Sequence, residues 1–431
     1  MPILLLSVLI ICGTAYSQAP AGASPFPLTF ADAMERARGN AGTVLSASYA
    51  ALIAREDTVQ AKAALLPSAN WNNGFIYSQP NVTDTGVFIA ANAPREYLNH
   101  ASVHGDIYAP GKMADYRRAS AAEVVARAKA DIAVRGLFAT VMQGFYGLVA
   151  ASRKYTNAQQ SQREAEQFLD ITQKLEQGGE VAHSDVVTAQ ILVEQRRRDT
   201  EDALVAEQKA RYGLSVLVFP DFRQDYTAVD DLAMAPVLPD FQRVQSLSTT
   251  NNPDLRAAQA SVREQAFEID VNRRAFYPTL SFDYSFGLDS DRYAIHNRDG
   301  KNNIGSLAQA TLNIPLWTWG ATRSKVRQAE LKLEQARAEL TLAQRQLVAN
   351  LNSYYVEADV ASMQIASLRR SLDLSQESLR LTLLRYQAGE VTVLEVKDAQ
   401  TTLTQSRNAL DDGLVRYRVA VGNLQTLTGA F

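Results

Sequence analysis

Reactive and metal-binding side chains are scarce in this chain. Its 431 residues include one cysteine, Cys12, and four histidines. Because Cys12 lies in the N-terminal apolar run, the folded body is left without a thiol. That excludes a disulfide framework and thiolate metal sites, and it suits an oxidising compartment. Long hydrophobic runs are missing too. No stretch after residue 20 approaches 18 consecutive apolar residues, so a membrane could be crossed only by β-strands. A dominant charge is absent: the net value is −3, which gives no general electrostatic reason to bind nucleic acid. With 46% hydrophobic and 21% charged residues, the chain is neither disordered nor a bundle of membrane helices.

Catalytic patterns are equally thin. There is no Gly-x-Ser-x-Gly, no catalytic cysteine and no glycine-rich dinucleotide turn. Gly105 to Lys112 imitates a phosphate loop, but five residues separate its glycines and Met113 replaces the hydroxyl residue that would hold magnesium. His100 and His104 have the i, i+4 spacing that binds zinc on a helix; on a strand the same spacing is ~13 Å, too far for one ion. Neither an enzyme, nor a metal site, nor a cofactor is expected.

The N-terminus carries an export signature. Ile3 to Cys12 is almost wholly apolar, and Ala15-Tyr16-Ser17 places small residues for cleavage before Gln18. Residues 1–17 are therefore expected to be a signal peptide. Lipidation at Cys12 is the rival reading, weakened by the bulky Ile11.

The most informative feature is a duplication offset by about 210 residues. Leu66-Pro67-Ser68 aligns with Tyr277-Pro278-Thr279, Asn40 with Asn251, and Phe145-Tyr146 with Tyr354-Tyr355; Pro110-Gly111 lies near the counterpart of Trp319-Gly320. Gln177-Gly178-Gly179-Glu180-Val181 mirrors Gln387-Ala388-Gly389-Glu390-Val391. A unit of that length is a duplicated half-molecule rather than a solenoid repeat. The expected organisation is a first repeat over 18–219, a connecting segment over 220–252 and a second repeat over 253–431.

Each half reads as helix, two strands, very long helix, turn, helix. Lys112 to Gln177 and Ala321 to Gln387 contain no proline. In the second, Val326, Ala329, Leu333, Ala336, Leu340, Ala343 and Leu347 alternate at three and four residues, the seam of helices packed at shallow angles. Each helix would extend ~100 Å at 1.5 Å per residue, so the molecule must be elongated. The seams are rich in alanine and bury little area per turn, which favours lateral neighbours on both sides. A long coiled-coil tether is the plainer alternative.

The strands alternate sharply. Leu280, Phe282, Tyr284, Phe286 and Leu288 oppose Thr279, Ser281, Asp283 and Ser285; Ala308, Ala310, Leu312 and Ile314 oppose Gln309, Thr311 and Asn313. The first half offers Trp71, Phe75 and Tyr77, then Tyr97, Ala101, Val103 and Ile107 against His100, Ser102, His104 and Asp106. Ten to twelve residues suffice for one tilted crossing of an outer membrane. The intervening loops, Pro80 to Glu96 and Asp289 to Asn303, are polar. Four strands cannot close a barrel, and open edges are not tolerated in lipid. Sister chains must supply the rest, and three copies would give twelve strands around a wide lumen. The alternative is a soluble sheet packed on the helices.

These residues resemble a known family, the TolC-like outer membrane efflux proteins. Leu28-Thr29-Phe30-Ala31-Asp32-Ala33 is similar to the family's opening helix, and Asn252-Pro253-Asp254-Leu255 to its second-half counterpart. Tyr386-Gln387-Ala388-Gly389-Glu390-Val391, followed by Glu395-Val396 and Asp398-Ala399, resembles its most recognisable stretch. The resemblance implies a mainly α fold with a membrane β-barrel portion: a homotrimer whose twelve-stranded barrel in outer membrane lipid continues into a periplasmic α-helical barrel of long hairpins. It implies docking on a periplasmic adaptor (membrane fusion) protein and an inner-membrane transporter of the RND, ABC or MFS type, and a role as exit duct in efflux or type I secretion. An adaptor or structural tether is the alternative function.

The resemblance also assigns residues. Gly178, Gly179, Glu180 and Val181, with Gly389, Glu390 and Val391, would form the hairpin tips that dock the adaptor; glycine supplies the permissive backbone a sharp reversal needs. Glu395 and Asp398, three apart on one helix face, would form a cation-attracting entrance ring of six carboxylates in a trimer. Tyr386 and Asp185 match the tyrosine and aspartate of the family's gate latch. Val391 stands where some members carry arginine, so the charged part of that latch is expected to be lost.

Overall fold

The computed structural model describes residues 26–77, 95–221, 224–234 and 236–429. The expected signal at 1–17, Cys12, all but the last two residues of the Pro80–Glu96 loop, and Phe431 lie outside them. In chain order the elements are β1 (Phe26–Leu28), α1 (Phe30–Asn40), α2 (Gly42–Ala63), β2 (Ser68–Tyr77), β3 (Arg95–Tyr108), α3 (Pro110–Gln177), α4 (His183–Val218), β4 (Tyr226–Ala228), α5 (Phe241–Asn251), α6 (Pro253–Arg274), β5 (Thr279–Ser290), β6 (Ile304–Asn313), α7 (Ala321–Gln387) and α8 (Val393–Thr428). The two halves repeat one plan. α5 falls inside the segment read from the sequence as a connector, yet it holds the place in the second half that α1 holds in the first.

Local chemistry sets the boundaries. The Thr29 hydroxyl caps α1 by accepting from the Asp32 backbone N–H at 3.1 Å. Asn252 caps α6 by accepting from the Leu255 N–H at 3.0 Å, with Pro253 in the first helical turn. α3 and α7, of 68 and 67 residues, each run ~100 Å. The strands therefore lie at one end of the molecule and the α3–α4 and α7–α8 turns at the other.

β2, β3, β5 and β6 form one antiparallel sheet in that order. Trp71 pairs with Ala101 and Ala101 with Phe286, while Val103 pairs with Tyr284 and Tyr284 with Ala308. That face carries the exposed Trp71, Phe75, Tyr284, Phe286 and Leu312. The opposite face is mostly polar: Asn72 Nδ2 donates to Ser102 Oγ at 2.8 Å, and His104 Nδ1 meets Asp283 Oδ1 at 2.7 Å. Both faces are wet in a single chain, and among the described residues the two outer strands, β2 and β6, each have one unpaired edge.

The helices pack side by side. Along its length α3 packs on α2, α4, α6 and α8, and α7 packs on α6 and α8. Midway along, Leu137, Phe138, Val141, Met142, Phe145, Tyr146, Leu148 and Val149 of α3 pack with α1, β1, β4 and the end of α4. α3 is, among the described residues, the one helix apolar and long enough to cross a membrane by composition; its most apolar turns are instead the core beneath this equatorial belt. β1 pairs in parallel with β4 to close the belt.

Candidate functional site: the hairpin tips and the seam above them

The two tips are built alike. Gly179 and Gly389 adopt φ of 78° and 75°, the left-handed conformation that costs glycine nothing. The N–H of Glu180 returns to Leu175 O and that of Glu390 to Arg385 O, both at 2.9 Å. These are the long bonds of a glycine-terminated helix end. His183 Nδ1 meets Glu176 Oε1 at 2.7 Å across the first turn, and Arg385 meets Glu390 at 3.5 Å across the second. Glu180 and Glu390 are exposed, while Val181 and Val391 tuck against the apolar cluster just above. Where the resemblance has arginine, Val391 thus makes an apolar contact.

That cluster joins the hairpins: Ala165 and Phe168 of α3, Ala189 and Leu192 of α4, Leu379 and Tyr386 of α7, and Val393, Val396 and Leu403 of α8. Tyr386 is 2% exposed and lies 5.1 Å from the Phe168 ring. Its hydroxyl donates to Thr172 Oγ1 at 3.4 Å, and Thr172 donates onward to Phe168 O at 2.9 Å. Burial pushes the Tyr386 phenol up, and the charge of nearby Asp185 pushes the same way. The structure therefore brings Tyr386 and Asp185 into one neighbourhood. Among the described residues of one chain, the hydroxyl's hydrogen bond goes to Thr172 rather than to Asp185.

Glu395 and Asp398 are both exposed on the returning helix. Glu395 has a local task besides: its carboxylate accepts from the Thr392 N–H at 3.3 Å, completing a capping box at the start of α8. Thr-x-x-Glu was legible in the sequence as a helix start. Asp185 is the duplicate of Glu395, standing at the same third position of α4. There Ala182 occupies the capping place and offers no side-chain bond, so Asp185 is not held in a cap. One ancestral acidic position serves as a cap in one hairpin and stays free of that duty in the other.

Sequence reading missed the seam between α3 and α8. Arg153 donates to Asp411 Oδ1 at 2.8 Å and to Asp230 Oδ2 at 2.5 Å; Asn157 donates to Asp411 Oδ2 at 2.8 Å. One turn further, Ser161 and Thr404 share a hydrogen bond of 2.8 Å. Arg407 then forks onto Glu164 with bonds of 2.8 and 3.1 Å, the bidentate geometry a guanidinium suits. At the equator Arg418 donates to both Tyr146 Oη and Asp231 Oδ2 at 2.7 Å. The partners lie 77 to 272 residues apart in sequence, so no local pattern could pair them.

The architecture so far is that of a subunit of a membrane duct: a strand sheet with open edges and an outward apolar face, continuous with long helical hairpins. Residues 244–430 match the family model described as outer membrane efflux protein. The chain is 23% identical over 426 residues to the proteases secretion protein PrtF of Dickeya chrysanthemi, covering 95% of this chain and 89% of that protein. It is 22% identical to the alkaline protease secretion protein AprF of Pseudomonas aeruginosa, covering 85% and 77%. The crystal structure of the Campylobacter jejuni CmeC outer membrane channel superposes with a TM-score of 0.82 at 14% identity, over 93% of this chain and 86% of that one, a likeness of fold. The chain is thus similar, in sequence over most of its length and in fold, to outer membrane efflux and secretion channel proteins of the TolC-like kind.

Proposed function

We propose that three copies of this chain form a passive exit duct through the outer membrane, without chemistry of their own. One observation carries the reading: among the described residues, a four-stranded sheet with both edges unpaired and an aromatic outer face joins helices of 67 and 68 residues. Lipid demands closure of those edges, and twelve strands enclose a lumen continuous with a helical barrel. The polar face, with Asn72, His100, Ser102, His104, Asp283 and Gln309, lines that lumen, following the alternation of membrane barrels.

In this reading the tips around Gly179 and Gly389 dock a periplasmic adaptor, and an inner-membrane transporter delivers cargo. Glu395 and Asp398 face the entrance. Tyr386, Thr172 and the neighbouring Asp185 hold the closed end together, with Val391 adding apolar contact in place of a charge. Cargo is chosen by the transporter and adaptor. Residues 1–17 serve as the export signal. Membrane fractionation with unheated gel electrophoresis tests the proposal. A detergent-resistant trimer in the outer membrane is expected, and a water-soluble monomer would end it.

A further inference from the structure

The loop between β5 and β6 does not stand clear of the sheet. It lies at the end away from the helices and turns back as a small hairpin. The N–H of Asn303 bonds to Ile295 O at 2.7 Å, that of Asn297 bonds to Lys301 O at 2.8 Å, and Gly300 adopts a φ of 79°. Asn303 pins the root, its side-chain amide donating to Ser290 Oγ and to Ala294 O at 2.8 Å each. Asn99 of β3 donates to Tyr293 Oη at 2.9 Å, and the Tyr293 ring meets Tyr97 edge-on at 6.2 Å. Tyr97 and Asn99 share the face of Ala101 and Phe286. The loop therefore leans over the aromatic outer face, not into the lumen.

Between loop and sheet lies a slot of about 460 Å³. Its walls are Trp71, Phe286, Leu288 and Ile304 from the sheet, with Tyr293 and Ile295 from the loop. Leu288 is buried at the floor, while Trp71, Phe286, Tyr293 and Ile295 each stay more than half exposed. Apolar surface gathered in one built recess asks for a ligand, as scattered exposure does not. The slot is centred on β3 and β5, the inner strands, so joining β2 and β6 to sister copies leaves it open. It faces the bilayer, at a depth set by the strand. From Leu280 to Phe286, β5 climbs ~20 Å along its axis. At the tilt of a membrane barrel that is ~15 Å of height within an apolar band ~25 Å tall. The slot thus opens in the outer leaflet.

The loop adds charge at the same level. Arg292, Arg298 and Lys301 outnumber Asp291 and Asp299. Asp291 meets Arg292 at 3.6 Å, whereas Arg298 and Lys301, both exposed in the turn, have no ion-pair partner among the described residues. Exposed cations at a membrane surface attract anionic headgroups. We propose that the slot holds one acyl chain of the phosphorylated glycolipid that makes up the outer leaflet, one molecule per chain, with Arg298 and Lys301 drawing its phosphates. Its place on the inner strands keeps a sister copy out, and its height keeps it from the glycerophospholipids of the inner leaflet. The proposal rests on the duct reading and adds a lipid site to it.

The test is to purify trimers in a mild detergent, wash them extensively and extract what remains bound. Mass spectrometry then counts the glycolipid, by its hydroxylated fatty acids, separately from glycerophospholipid. One glycolipid per chain is expected. Ala294→Trp fills the slot with an indole, and Ile295→Glu places a carboxylate in its wall. Each should lose the lipid and still run as an unheated trimer. Leu312→Trp, on the same face near the helical end of β6, should keep it. Arg298→Gln with Lys301→Gln alters only exposed side chains and should lose the lipid severalfold faster on washing. Three results would overturn the site and leave the duct standing: a trimer without glycolipid, one carrying glycerophospholipid in its place, or full retention in Ala294→Trp and Ile295→Glu. Should those two variants fail to assemble, unchanged retention in the Arg298 and Lys301 double variant decides against the site. A parent that is not trimeric takes the duct down as well.

Discussion

Replacing Arg407 with methionine probes what holds the two hairpins together. Arg407 is 9% exposed, and its bidentate partner Glu164 keeps about a fifth of its side-chain surface. Removing one member of a buried pair costs about 3–5 kcal/mol, chiefly because the other charge is stranded. Water reaching Glu164 lowers that to about 2 kcal/mol per chain. If α3 and α8 part along this seam when the tip widens, the closed arrangement loses about thirtyfold in each copy. Single-channel recording in planar bilayers should then show a quiet parent and a markedly more open Arg407→Met. The double variant Glu164→Gln/Arg407→Met removes both charges and should recover most of the closure, because methionine keeps the packing of the stem. A single variant as quiet as the parent, or a double variant as open as the single, would refute the seam as the fastening.

Three further outcomes are expected. Glu395→Gln with Asp398→Asn keeps the helix cap while removing the charges, so block by trivalent cations should weaken severalfold; unchanged block would remove the entrance ring. Tyr146 is buried, which pushes its phenol up to about 12 despite the opposing pull of Arg418. The folded state thus holds its proton more tightly than the unfolded chain. Its stabilising contribution is complete below pH 10 and is lost as pH rises toward 12, on the order of 2 kcal/mol per chain. Thermal melts at pH 9 and 11 should converge more closely in Tyr146→Phe than in the parent. A Cβ on Gly422 would overlap the Met142 sulfur where α8 crosses α3. Gly422→Val should therefore lose about 1–3 kcal/mol, read as a lower dissociation temperature, and Met142→Ala in the same chain should recover part of it.

Everything with a local period was legible in the sequence. The absence of proline and the three-and-four spacing gave α7 from Ala321 to Gln387, because a helix repeats its partners every turn. Alternation gave β5 and the aromatic face of Tyr284 and Phe286, and repeated glycine turns revealed the duplication. The capping role of Glu395 was equally local, written in Thr392-x-x-Glu395, yet it was overshadowed by the family's acidic entrance.

Tertiary structure decided which helices lie side by side. Periodicity says that a face is apolar, not what covers it, so nothing near Glu164 in sequence points to Arg407, 243 residues away. Tyr386 shows the same limit. The resemblance singled out its position, but only folding could bring Thr172 to the hydroxyl and leave Asp185 acting at a distance. A hydrogen bond depends on where two remote segments come to rest, and that is settled by how the helices pack side by side.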